Sequence, residues 1–185
     1  ITPRIGKPVE VQALWINALA LAVRLDGRWG AALRTARRAF ADRFWADSRG
    51  YLADVVDVDH QPGLLDETLR PNQILAVGGL PVAALSGEAA RQVVDVVERT
   101  LVTPLGLRSL APADRRYVGR YEGGPADRDA VYHQGTVWPW LLGPFVDAWL
   151  RVRGNEPAAR AEARRRFVES LLAHLDEAGL DHVSE

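Results

Sequence analysis

Val9-Glu10-Val11-Gln12-Ala13-Leu14-Trp15-Ile16-Asn17-Ala18-Leu19-Ala20-Leu21-Ala22-Val23-Arg24-Leu25 is apolar on nearly every side when wound as a helix. A helix apolar all round is expected to be buried all round. The stretch after it is of another kind. Over residues 29–44, Leu33, Ala36, Phe40 and Phe44 recur at helical spacing while Arg34, Arg37, Arg38 and Arg43 take other faces. That pattern predicts a surface helix with one apolar stripe.

The alternation continues outward from this pair. Residues 74–85 are apolar throughout, although Gly78, Gly79 and Pro81 weaken or kink a helix there. Residues 88–101 set Ala90, Val94, Val97 and Leu101 against Arg91, Asp95 and Arg99. Residues 137–150 are apolar again, with Pro139 in the first turn, where proline is tolerated. Residues 160–175 direct Phe167, Leu171, Leu172 and Leu175 inward. Short turns join the members of each pair at Asp26-Gly27, Ser86-Gly87 and Gly154-Asn155. The order predicts an all-α fold of concentric helices, an inner buried set covered by an amphipathic one. Three such hairpins make half of a six-hairpin toroid, and periodicity alone also allows an ordinary helical bundle.

The remaining connections, residues 45–71 and 102–136, are long and hold polar and aromatic residues rather than low-complexity sequence. Long loops of that kind in compact domains are usually functional. Residues 51–58 could add a short strand. Each long loop leads into an apolar helix, residues 1–8 lead into the first, and residues 179–185 would lead into a fourth. The expectation is that all four converge on one rim of the ring.

That rim carries Thr2-Pro3-Arg4 with Lys7 and Glu10, then Arg70-Pro71-Asn72-Gln73, Gly106-Leu107-Arg108-Ser109, Tyr132-His133-Gln134-Gly135-Thr136-Val137-Trp138-Pro139-Trp140, and Ser184-Glu185. Fixed hydrogen-bonding groups among flat indole faces are what sugar recognition needs. Glu10 and Asn17, seven residues apart, share one face of their helix. Polar groups on an apolar helix need partners. For Glu10 the alternatives are an ion pair with Arg4 or Arg70 and a contact to substrate, and the two are compatible. Trp29, Trp45 and Trp149 read as packing residues, and Trp15 is open.

Several chemistries are excluded. The chain has 185 residues, 48% hydrophobic and 25% charged, with a net charge of −1 and no basic stripe. It therefore lacks the footprint of a nucleic-acid or membrane-surface partner. Cysteine is absent, which removes disulfides, thiol nucleophiles and thiolate metal sites, and is in keeping with the cytosol. His60, His133, His174 and His182 make no paired metal-ligand spacing, so no metal site is expected. No Gly-rich nucleotide fingerprint occurs, so no cofactor is expected; no Gly-x-Ser-x-Gly elbow occurs either, and Ser109 has no nearby acid-base partner in sequence. No apolar run is long enough for a transmembrane helix. Neither end resembles a natural terminus, so the remainder of its own polypeptide is expected on both sides.

Thr2-Pro3-Arg4 through Gly6-Lys7-Pro8-Val9-Glu10-Val11-Gln12-Ala13-Leu14-Trp15, Arg70-Pro71-Asn72-Gln73, Thr103-Pro104-Leu105-Gly106-Leu107-Arg108-Ser109-Leu110, Tyr132 to Trp140 and Leu141-Leu142-Gly143-Pro144-Phe145 resemble, in order, the C-terminal glucosidase domain of glycogen debranching enzymes. The resemblance covers almost the whole chain. It implies a single domain over residues 1–185, the C-terminal part of an (α/α)6 toroid of the glucoamylase-like clan. It also implies cytoplasmic amylo-α-1,6-glucosidase activity on glycogen or a branched α-glucan, with inversion at the anomeric carbon. Inversion needs an acid and a base flanking the bond with room for water.

By the same resemblance the general base is Glu185, in a Ser-Glu pair, and the acid is an aspartate just ahead of the Thr-Pro-Arg motif. The chain as given is then expected to have little or no activity by itself. Asp54, Asp57, Asp66 and Asp129 are the possible substitutes for that acid within the chain, and local salt bridges are the commoner fate of such residues. The sugar-binding set comprises Arg4, Glu10, Arg70, Asn72, Gln73, Arg108, Tyr132, His133, Gln134, Trp138 and Trp140. The rival readings are another toroid glycosidase, such as a trehalase-like enzyme, and a non-catalytic carbohydrate-binding domain.

Overall fold

The computed structural model describes residues 3–46, 48–177 and 181–183. These residues are mostly helical, with seven α-helices and three small antiparallel sheets. A two-residue strand, β1 (Lys7–Pro8), leads into α1 (Val9–Leu25). A 3-10 turn over Gly27–Trp29, capped by the Asp26 carboxylate accepting from the Arg28 N–H, reverses the chain into α2 (Gly30–Phe44). The α1–α2 pair thus forms where the alternation puts it.

The first long loop is built from strands. β2 (Trp45–Ala46) pairs with β3 (Tyr51–Leu52), while β4 (Val55–Val56) lies between β1 and β5 (Leu65–Asp66). The register sets Lys7 opposite Val56 and Val55 opposite Asp66. Val55 and Val56 are fully buried, as suits β-branched residues at the centre of a small sheet. The second long loop holds β6 (Val102–Thr103), β7 (Gly106–Arg108), the short helix α4 (Pro125–Val131) and β8 (Val137–Trp138). β7 is the middle strand, with Leu107 opposite Trp138. The sequence pattern indicates neither α4 nor most of these strands, because two-residue strands are too short to show a period.

The second apolar segment is not the helix expected over residues 74–85. A 3-10 helix covers Pro71–Ala76, and the chain then leaves helical geometry. Gly79 adopts φ +77°, which helices do not accommodate, and Pro81 follows. Helix α5 (Leu142–Arg153) supplies partners for the freed backbone groups. The Gly79 N–H donates to Asp147 Oδ2 (2.7 Å), and Arg151 donates to the carbonyls of Val77 (3.1 Å) and Leu80 (2.6 Å). Gly78 lets the two backbones touch: a Cβ there would fall on the Ala148 nitrogen and 2.5 Å from the Pro144 carbonyl oxygen.

Helix α3 (Gly87–Thr100) is amphipathic as read. The third apolar segment begins as strand β8 and a 3-10 turn (Pro139–Leu141) before α5 starts. The last amphipathic segment divides into α6 (Pro157–Ala163), a π-helical turn (Arg164–Val168) and α7 (Glu169–His174).

One part of the core lies between α3, α5 and this last segment, where Val93, Val94 and Val97 pack with Phe145, Ala148, Trp149 and Phe167. The Phe167 ring stands edge-on to Phe145 and Trp149, at 5.1 and 5.7 Å. Each fully buried side chain of this size contributes about 1.5–3 kcal/mol. The Trp149 indole N–H donates to Glu98 (3.0 Å), so its one polar atom is satisfied.

Helix α1 corrects the expectation of all-round burial. Val9, Ala13, Ile16 and Leu19 are buried, whereas Val11, Leu14, Trp15 and Leu21 on other faces stay exposed and Leu25 is 92% exposed. No helix among the described residues is long and apolar enough to cross a membrane.

Candidate functional site

Three segments distant in sequence open onto one cleft of about 690 Å³, continuous with solvent: the start of α1, the start of the Pro71–Ala76 turn, and the approach to α5. Arg4 and Glu10 come from the first, Arg70 and Asn72 from the second, and His133, Trp138 and Trp140 from the third. Each position has a local cause. Arg70 precedes a proline, which disfavours helical backbone, and it is extended at φ −123°, ψ 158°. Gly135 has φ +136°, and a Cβ there would clash with the Val118 carbonyl and the Tyr117 ring. Its N–H donates to Ser109 Oγ (3.0 Å), which fixes the loop carrying His133.

Arg70 holds the back of the cleft together. The side chain is 4% exposed and donates through Nη1 to the carbonyls of Ser109 (3.0 Å) and His133 (2.6 Å), and through Nη2 to Gln134 Oε1 (3.3 Å). Burial lowers its pKa most, opposed by Asp54, yet a guanidinium stays charged at any physiological pH. Arg4 lies between two carboxylates, Asp54 on one edge and Glu10 on the other. Burial works to lower the Arg4 pKa, but the hydrogen bonds to Glu10 and Asp54 and their charges outweigh it and hold it raised.

The aromatic wall is continuous. Trp138 packs edge-on against His133 (5.0 Å), tilts against Tyr132 (5.7 Å) and stacks with Trp140 (6.2 Å, 25° between planes). Trp140 is 59% exposed. Burial and then Arg70 lower the His133 pKa, which favours the neutral imidazole, a ring that can both donate and accept. Among the described residues, two buried side-chain polar atoms have no hydrogen-bond partner, Arg70 Nε and Trp138 Nε1. Both belong to residues of the cleft wall, and Arg70 Nε stands 3.9 Å from Asp54 Oδ2.

Seven of the eleven sugar-binding residues expected from sequence therefore line this cleft: Arg4, Glu10, Arg70, Asn72, His133, Trp138 and Trp140. Tyr132 and Gln134 are not in its wall but touch residues that are, Trp138 and Arg70. Gln73 is elsewhere: it is 2% exposed, accepts from the Leu52 N–H (3.2 Å) and donates to the Arg70 carbonyl (3.0 Å), so it bridges the sheet to the 3-10 turn. Arg108 sits on β7 and reaches the Val102 carbonyl (3.5 Å). Glu185 lies outside the described residues.

None of Asp54, Asp57, Asp66 and Asp129 walls the cleft. Asp57 pairs with Lys7 and Arg43, Asp54 with Arg4, and Asp66 accepts from Thr68. Pro71, Leu75 and Ser109 complete the wall. They lie within segments the sequence picks out, but nothing in their residue type singles them out. A second hollow, about 560 Å³ between α1 and α2, is walled mainly by Trp15, Ile16, Phe40 and Phe44. Its two cations, Lys7 and Arg43, are both paired with Asp57.

The chain is similar to a glycogen debranching enzyme from Saccharomyces cerevisiae, 33% identical over 90 residues, which is 45% of the chain and 6% of that relative. The chain therefore corresponds to a small part of the relative's length. The sequence pattern of the family described as Amylo-alpha-1,6-glucosidase matches residues 1–185. The chain belongs to the amylo-alpha-1,6-glucosidase family.

Proposed function

We propose that this chain forms the glucose-binding side of a glycoside hydrolase that removes α-1,6-linked glucose from the branch points of glycogen or a similar α-glucan. The observation that carries the reading is the meeting of Arg4, Glu10, Arg70, Asn72 and His133 with Trp138 and Trp140 at one cleft. Charged forks, a carboxylate, an amide and an imidazole can satisfy sugar hydroxyls, and the indoles offer flat apolar faces for the C–H face of a pyranose. The family and the debranching relative supply the substrate class.

In this reading the chain is part of an (α/α)6 toroid, with the cleft at the starts of its inner helices. Glu185 acts as general base. It takes a proton from a water, whose oxygen attacks the anomeric carbon while the bond to the leaving O6 breaks, and glucose departs with inverted configuration. The leaving oxygen receives its proton from an aspartate that the family resemblance puts ahead of Thr2-Pro3-Arg4. The pairing of Asp54 and Asp57 with cations, away from the cleft wall, supports an acid from outside this chain. The site is a cytoplasmic one, needing neither metal nor cofactor.

The test is Glu185→Gln in the full-length protein, assayed by glucose release from limit dextrin. General-base assistance is worth about 10²–10⁴-fold, so kcat should fall by at least about a hundredfold with little change in KM. An unchanged kcat overturns the role of Glu185. Release from trehalose rather than limit dextrin overturns the substrate, and calorimetric binding of maltooligosaccharide without any release overturns the hydrolase reading.

A further inference from the structure

Behind the cleft lies a carboxylate that touches neither solvent nor the cleft space. Asp54, between β3 and β4, is 2% exposed. Its backbone is tied on both sides: the N–H donates to the Asp66 carbonyl (2.8 Å), and its own carbonyl accepts from the Val9 N–H (3.0 Å) and Arg4 Nη2 (3.3 Å). The side chain meets Arg4 fork to fork, Oδ2 accepting from Nε (2.8 Å) and Oδ1 from Nη2 (2.9 Å). Arg70 Nε stands 3.9 Å from Oδ2. The far edge of the Arg4 guanidinium grips both oxygens of Glu10, Nη2 at 2.7 Å from Oε2 and Nη1 on Oε1. The order Asp54, Arg4, Glu10 thus runs from the interior to the cleft wall.

A buried carboxylate is a costly way to fill this space, since a well-packed apolar group is often as stable or more so. Burial pushes the Asp54 carboxyl up to about 6, against the lowering pull of Arg4 and Arg70. What Asp54 supplies is direction. A guanidinium held along its Nε edge by a fixed fork has its opposite edge aimed. That edge faces Glu10, and both residues line the cleft. Without Asp54, Arg4 has one carboxylate instead of two and can swing together with Glu10.

We propose that Asp54 is a positioning residue for glucan binding, holding Arg4 so that Arg4 and Glu10 present their polar edges to one sugar unit in the cleft. This rests on the sugar-binding reading of the cleft. Asp54 makes no contact with substrate and moves no proton in the reaction. The charged groups facing it are Arg4 from the segment before β1, Glu10 from the first turn of α1 and Arg70 just before the 3-10 turn, with Arg116 acting at longer range.

The experiment uses Asp54→Asn in the full-length protein, which keeps the shape and removes the charge. KM for limit dextrin should rise about tenfold, the worth of one charge-assisted hydrogen bond, with a smaller change in kcat. The wild-type KM should climb as pH falls below about 6, where Asp54 takes up a proton, and the variant KM should lack that climb. A crystal structure of the variant should show the Arg4 guanidinium turned away from residue 54, with the Arg4–Glu10 pair displaced from its place in the cleft wall.

A lowered melting temperature with unchanged KM at all pH values, or an Arg4 that does not move, overturns the proposal. Should the variant fail to fold, Arg4→Lys provides the second arm. An ammonium cannot fork onto two carboxylates, so the same rise in KM is expected, and an unchanged KM overturns the proposal. Failure of the cleft reading looks different: the wild-type protein then neither binds maltooligosaccharide nor releases glucose. If Arg4 still turns in the variant crystal, that outcome upholds its positioning by Asp54 and overturns the sugar role.

Discussion

Val9–Leu25 and residues 74–85 read alike as apolar stretches, and the fold treats them differently. The first becomes a continuous 17-residue helix that leaves Val11, Leu14, Trp15 and Leu25 in solvent. The second loses its helix after Ala76 and is tied down by other elements. Apolar content drives a segment toward burial, but the form its backbone takes depends on where each N–H and C=O finds a partner. In α1 they find one another. After Ala76 they find Asp147 and Arg151 of α5, because Gly78 and Gly79 bring the chain too close to α5 for a helix and give it a backbone turn only glycine adopts cheaply. The two segments also meet directly, through the Asn17 side chain of α1, which donates to the Val82 carbonyl (3.1 Å).

Substitution can break the comparison at three points. The largest effect is expected from Gly78→Ala. The added methyl would land on α5 backbone, which cannot move aside as a side chain can. We expect a loss of about 3 kcal/mol in urea unfolding, at the upper end for overpacking. A loss below about 0.5 kcal/mol, within the ordinary range for uninvolved sites, would mean the chain does not lie against α5.

Next is Asn17→Ala. It removes a buried donor and leaves the Val82 carbonyl without that bond, at a cost of about 1–2 kcal/mol. A double substitution with Gly78→Ala sharpens the test, since segments that share one packing arrangement should give less than the sum of the single losses. The smallest effect is expected from Leu25→Lys. At 92% exposure, the change should stay within about 0.5 kcal/mol and leave the melting curve in place. A clear loss there would mean that the open face of α1 is covered in the protein in solution.

Much of the cleft was legible in the sequence because its parts sit beside strong local signals. Arg70 stands before a proline, and His133 and Trp138 stand at the entry to an apolar run. Gln73 was misleading for the same reason. It belongs to the motif by position, yet successive residues of a tight turn point different ways, and its amide turns inward to Leu52 and Arg70. Asp54 gave the opposite difficulty. Its signal, an aspartate flanked by Ala53 and Val55 in an apolar stretch, marks a buried charge but not its partner, because Arg4 is fifty residues away.

The sequence alone determined which segments are apolar, where α1, α2 and α3 form, that no cysteine chemistry is available, and which family the motifs resemble. These follow from composition and from periods of a few residues, which act within one turn of chain. Tertiary structure alone decided that residues 77–85 are not helical, that the long loops hold two-residue strands, and that one face of α1 is open. It also decided that Arg4 lies between Asp54 and Glu10. Each of these depends on a partner far along the chain, on α5, on β4 or across the cleft. Local pattern cannot carry that information, because the energy deciding the outcome lies in contacts that exist only once the chain has folded.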